Sequence, residues 1–132
     1  MLSKKHLLVA TLFLTTPLLS FAENLVTTNN TSRPSTVKIN EICVGLLPVP
    51  FKVVTPPHGQ SSVPRVHVDT ICGGRDKQKC FAAIHMTPDC SDTSVATAQF
   101  NLVDFTIDSI KTVEGAPYNI HWSDTYVVID PA

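Results

Sequence analysis

The chain has 132 residues, with ten lysines and arginines against eleven aspartates and glutamates, for a formal net charge of −1 with histidine neutral. It has no clustered basic footprint that could displace counterions from a phosphate backbone, which excludes nucleic acid as a partner. The only dense positive group, Arg75, Lys77 and Lys79, is interrupted by Asp76 and reads as a solvated loop.

Lys4 and Lys5 open the chain, Leu7 to Leu19 supply an apolar core, and Ser20-Phe21-Ala22 places small residues at the −3 and −1 positions of a cleavage site. Residues 1–22 are therefore expected to be a cleavable export signal. The apolar run is short for a bilayer, and polar residues follow it directly, so no membrane anchor is expected after cleavage. Cleavage would leave eight basic residues against eleven acidic ones, a formal charge of −3. The expected location is secreted or periplasmic. In a eukaryotic host, Asn29 and Asn30 would head two glycosylation sequons.

Residues 23–35 are polar and without periodicity, and read as a flexible leader. Residues 36–132 then form one domain. Val37, Ile39, Ile42 and Val44 lie in a strand-like run whose change of phase suggests a bulge. Pro48, Pro50, Pro56, Pro57 and Pro64 forbid a helix and confine any strand there to an edge; Phe51 to Val54 is a short candidate. From Arg65, alternation predicts a strand with Val66, Val68 and Thr70 on one face and Arg65, His67 and Asp69 on the other. Gly73 to Lys79 reads as a loop joining that strand to Phe81–Met86. Val95 to Phe100 follows, and then Val103, Phe105 and Ile107 alternate with Asp104, Thr106 and Asp108. Ile110 to Val113 extend or restart that strand. Tyr118, Ile120 and Trp122 alternate with Asn119 and His121, and Thr125 to Ile129 close the domain. Seven or so short strands point to an all-β fold, a small antiparallel β-sandwich, with a small β-barrel as the alternative.

Cys43, Cys72, Cys80 and Cys90 are even in number and, in an oxidising compartment, predict two disulfides. Cys72–Cys80 across the glycine-containing loop, leaving Cys43–Cys90, is the favoured pairing; Cys43–Cys72 with Cys80–Cys90 is the alternative. No C-x-x-C spacing supports a redox site or a zinc cluster.

Candidate chemistry is sparse. His67 and Asp69, two residues apart on a strand, would project from one face about 7 Å apart and form half of a metal site, with His85 or His121 as a third ligand. Exposed side chains on a solvated face are the blander reading of the same pair. Asp104 and Asp108, about 13 Å apart on a strand, are too distant for paired-carboxylate glycoside hydrolysis. Nucleophile elbows and phosphate-binding glycine loops are missing. Tyr118, Trp122 and Tyr126 are core aromatics or a ligand platform. The expectation is a secreted, non-enzymatic binding module for a protein or glycan, without a cofactor, contacting partners through Pro48–Pro64 or the Gly73–Lys79 loop. A metal-binding protein or metal-dependent hydrolase using His67 and Asp69, or a subunit of an envelope or secreted assembly, are the alternatives.

Overall fold

A computed structural model describes residues 24–74 and 77–132. The export signal, and Arg75 and Asp76 of the charged loop, lie outside the described residues. Among the described residues, nine strands form two sheets: β1 Asn24–Asn29, β2 Thr36–Ile39, β3 Ile42–Cys43, β4 Gly59–Pro64, β5 Lys79–His85, β6 Ala96–Asn101, β7 Thr106–Thr112, β8 Tyr118–Ser123 and β9 Tyr126–Pro131. The smaller sheet runs β4-β1-β9-β8 and the larger β3-β2-β5-β6-β7. Every pairing is antiparallel except β1 with β9. The expected sandwich is the fold.

Alternation explains the layers. Leu25, Val63, Val127 and Ile129 of the smaller sheet and Ala82, Ile84, Ala98, Phe100, Ile107 and Ile110 of the larger are all buried and meet in one core. Removing each large aliphatic chain from water contributes about 1.5–3 kcal/mol. The opposite faces of the same strands carry Lys, Thr, Gln and Ser.

Five expectations are corrected. Residues 24–29 are not a leader but β1, an interior strand of the smaller sheet. The pattern hides this because β1 turns polar groups inward. Asn29 is fully buried, donating to the Arg33 and Pro56 carbonyls and accepting from the Thr31 N–H and hydroxyl. Every polar atom of its side chain is thereby satisfied, and Asn29 offers no free amide for a glycan. Asn30 is exposed, with its amide 2.7 Å from Asp130.

The run from Val37 to Val44 is a hairpin, not a bulged strand. Ile39 pairs with Ile42, and Asn40 and Glu41 take φ of 50° and 66°. Two positive φ values at the centre of a two-residue loop are those of a type I′ turn.

Arg65–Ile71 is a helix, α1, rather than a strand. Its run of Val, Val, Thr and Ile favours β structure, but Val68 and Ile71 at i and i+3 are buried with Cys72 beside them. Pro64 precedes the first turn, where a missing N–H costs nothing. At the far end the Gly73 N–H donates to Thr70 and the Gly74 N–H to Asp69, with Gly73 at φ 88°. These two bonds are a Schellman cap, so the glycine pair stops a helix instead of turning a hairpin. The fourth correction concerns Val103 to Phe105, read as strand. Asn101 accepts from the Val103 and Asp104 N–H groups at 2.9 and 3.1 Å and bends the chain there, so β7 starts only at Thr106. Phe51 to Val54 likewise forms no strand; Thr55 makes a single bridge to Ser35.

The disulfides follow the favoured pairing, Cys72–Cys80 and Cys43–Cys90. The first joins the end of α1 to β5, and the second ties β3 to the loop after β5. A 3-10 turn at Val44–Leu46 sits beside that bridge, and a Cβ at Gly45 would collide with the Pro88 carbonyl oxygen. Among the described residues, no helix is long and apolar enough to cross a membrane.

Candidate functional site

The four metal candidates do not converge. His67 and Asp69 lie on α1, where two residues turn the chain by about 200°, so the shared strand face does not exist. His67 packs on Phe51, ring centroids 4.7 Å apart, and Asp69 lies 3.8 Å from Arg65. His85 is buried with its Nδ1 2.8 Å from Asp92. His121 is exposed on β8, 3.6 Å from Asp130. Among the described residues, no group of three or more His, Cys, Asp or Glu side chains is placed to hold a metal ion. Asp104 sits in the turn before β7 and Asp108 on the strand, so they share no strand face.

Of the expected contact surfaces, Pro48–Pro64 ends in β4, an edge strand as its prolines require. Its Ser61 hydroxyl is tied to Thr55 at 2.5 Å. The Gly73–Lys79 loop joins helix to strand rather than two strands. Trp122 and Tyr126 remain partly exposed, on opposite faces at one end of the smaller sheet.

A different surface has the geometry of a site. On the outer face of the larger sheet, strand register sets Lys38 opposite Ala83, Ala83 opposite Thr97, and Thr97 opposite Lys111. Two small residues thus lie between two lysines, and the floor is recessed. The adjacent row runs Phe81, Gln99, Ser109. Together with Asn40 and Glu41 of the β2–β3 turn these residues line a groove of about 450 Å³, within the range of sites that bury a small ligand. Phe81 is 65% exposed although it stands on an interior strand. Exposing a phenyl ring forgoes the burial that ordinarily favours it.

The groove is also electrostatically shaped. A register shift between Gln99 and Phe100 leaves Asp108 as an extra residue on β7. There the Lys79 ammonium lies 2.8 Å from Asp108, and the Gln99 amide donates to the same carboxylate at 3.3 Å. The hydrogen bond from Lys79 chiefly holds the Asp108 carboxyl below its ordinary range. Gln99, which lines the groove, is thereby oriented through its amide. Lys38 and Lys111 have no ion-pair partner among the described residues; Glu41 is the single acidic residue lining the groove. No sequence reading anticipated these residues. Alternation gave their faces, but only the pairing of β2, β5, β6 and β7 brings them into two rows.

Two antiparallel-rich sheets, two disulfides and a grooved outer face define a small stapled β-sandwich of the exported type. The chain belongs to the family described as "T2SS substrate NttC", whose model matches residues 1–125. It is thus an exported protein, the location expected from the sequence. Its fold is similar to the crystal structure of the Legionella pneumophila type II secretion system substrate NttC. The TM-score is 0.59 at 18% identity, covering 83% of this chain and 98% of that one. At that identity the likeness concerns the fold alone. No curated protein matches the chain.

Proposed function

We propose that this protein is a type II secretion substrate that acts outside the cell as a non-enzymatic binding module, taking its ligand in the groove between Lys38 and Lys111. The supporting observation is Phe81, an exposed aromatic ring at the wall of a recessed face lined otherwise by small and polar side chains. The sheet's interior strands hold the groove rigid, which lowers the entropy lost on binding. The β4 edge is a weaker candidate, since it ends in a proline that lacks the N–H a partner strand needs.

Ala83→Trp fills the floor and tests the reading. Mature wild-type and variant protein are screened on immobilised glycans and host-surface proteins. A ligand kept by wild type and lost by the variant, with circular dichroism unchanged, is expected; identical profiles overturn the groove. Route is tested separately, by inactivating the host's type II system and finding the protein held in the periplasm. Unchanged release refutes that part.

A further inference from the structure

Resting on the binding reading above, we infer that the groove takes an acidic saccharide, a chain bearing uronic-acid carboxylates or sulfates. Three features of the face select this chemistry. The floor lies on β5 and β6, interior strands whose backbone groups are spent on their neighbours. Strand addition, the usual way for an extended peptide to gain affinity on a sheet, is closed there. Recognition must then come from side chains alone.

Those side chains are of the kinds a sugar uses. The exposed Phe81 ring offers an apolar face for the C–H side of a pyranose. The Gln99 side chain, fixed by its amide's bond to Asp108, together with the Thr97 and Ser109 hydroxyls and the Asn40 side-chain oxygen, whose amide donates to the Ile71 carbonyl, supplies donors and acceptors for ring hydroxyls.

The charge placement gives the third argument. Lys38 and Lys111 close the two ends of one row that crosses four strands. At the usual spacing between strands their backbones stand about 14 Å apart, the reach of a short oligosaccharide. Neither ammonium is neutralised by an ion pair among the described residues, and each is a flexible donor to a carboxylate or sulfate. Glu41 at the turn opposes an anion and sets a limit on affinity that its removal would lift.

Isothermal titration of the full mature protein with a hyaluronan hexasaccharide, a heparin hexasaccharide, neutral chitohexaose and poly-glutamate tests the inference. At least one of the two anionic sugars should bind, and its affinity should fall at least tenfold in Lys38→Gln/Lys111→Gln and in Phe81→Ala, each with an unchanged melting temperature. Glu41→Gln should tighten it severalfold, and raising the salt from 50 to 200 mM should weaken it. Equal binding of chitohexaose, or affinity indifferent to the lysines, overturns the inference. Preference for poly-glutamate overturns it in favour of an acidic protein partner. If neither anionic sugar binds while another ligand is lost on Ala83→Trp, the saccharide is wrong and the groove stands. If no ligand is sensitive to Ala83→Trp, both fall.

Discussion

Asp92 shows how single residues hold the irregular parts of this fold. It lies in the loop between β5 and β6, and its Oδ1 accepts from Thr87 at 2.7 Å and lies 2.8 Å from His85 Nδ1. Its Oδ2 accepts from the Met86 N–H at 2.9 Å. Burial alone would push the carboxyl up; the hydrogen bonds from Met86, Thr87 and His85 outweigh it and hold the group below the ordinary carboxylate range. A carboxyl depressed in the folded state adds stability at pH above its unfolded value, and that stability disappears as pH falls through the folded value. The melting temperature should therefore drop as pH falls from about 4 toward 2, beyond the slope due to Asp89 and Asp108, which are shifted the same way. Asp92→Asn should cost about 1–3 kcal/mol at neutral pH and flatten that acid limb. Thermal melts of both proteins between pH 2 and 7 decide it, and parallel curves would show that Asp92 carries none of the dependence. None of these partners was legible in the sequence. Thr87-Pro88-Asp89 marked the end of the strand, but nothing in the spacing tied Asp92 back to His85.

Elements were legible where burial follows period two and illegible where polar groups do the work. β5, β6, β8 and β9 fall close to their predicted limits because apolar side chains alternate against one core. β1 fails the same test: its inward Thr27 and Asn29 are polar, and Asn29 is satisfied by bonds to Arg33 and Pro56 that lie outside the strand. α1 is the opposite case, where β-branched residues alternate by chance over one short stretch and tertiary burial of Val68 and Ile71 overrides propensity. The readable signal was Pro64 before it and Gly73-Gly74 after it. Gly73 holds φ 88°, and among the described residues a Cβ there would meet only the Lys77 side chain, at 3.6 Å. The penalty for Gly73→Ala is thus one of backbone conformation, about 1 kcal/mol, with Gly73→Asn costing less. Denaturant melts of the two variants should rank wild type above Asn above Ala. An alanine variant as stable as wild type would mean that the cap contributes nothing to α1.

At the scale of the molecule, the two disulfides anchor what the sheets hold least well. A β domain of about 110 residues buries a modest core, and the segments joined by the bridges are the irregular ones: α1 with its glycine cap, and the β3 hairpin with the loop after β5. The cysteine spacing made the correct pairing legible even though the element on one side of Cys72–Cys80 was misread, because a short loop favours closure whether a helix or a strand enters it. The two bridges differ in reach. Cys43–Cys90 closes a separation of 47 residues and Cys72–Cys80 one of 8. In the loop-entropy account their contributions are about 4 and about 2.5 kcal/mol. Cys43→Ala/Cys90→Ala should then lower stability more than Cys72→Ala/Cys80→Ala, as read from urea midpoints at equal m-values. The first bridge holds Cys43 on β3, opposite Lys38, while the second enters β5 at Cys80, beside Phe81, whose carbonyl accepts from the Asn40 N–H of the β2–β3 turn. Each bridge thus borders a groove residue, and loss of either should also weaken any ligand held there, in the fraction that remains folded. The reverse order in the urea series would place the weight of the fold on α1 instead of on the hairpin that borders the groove.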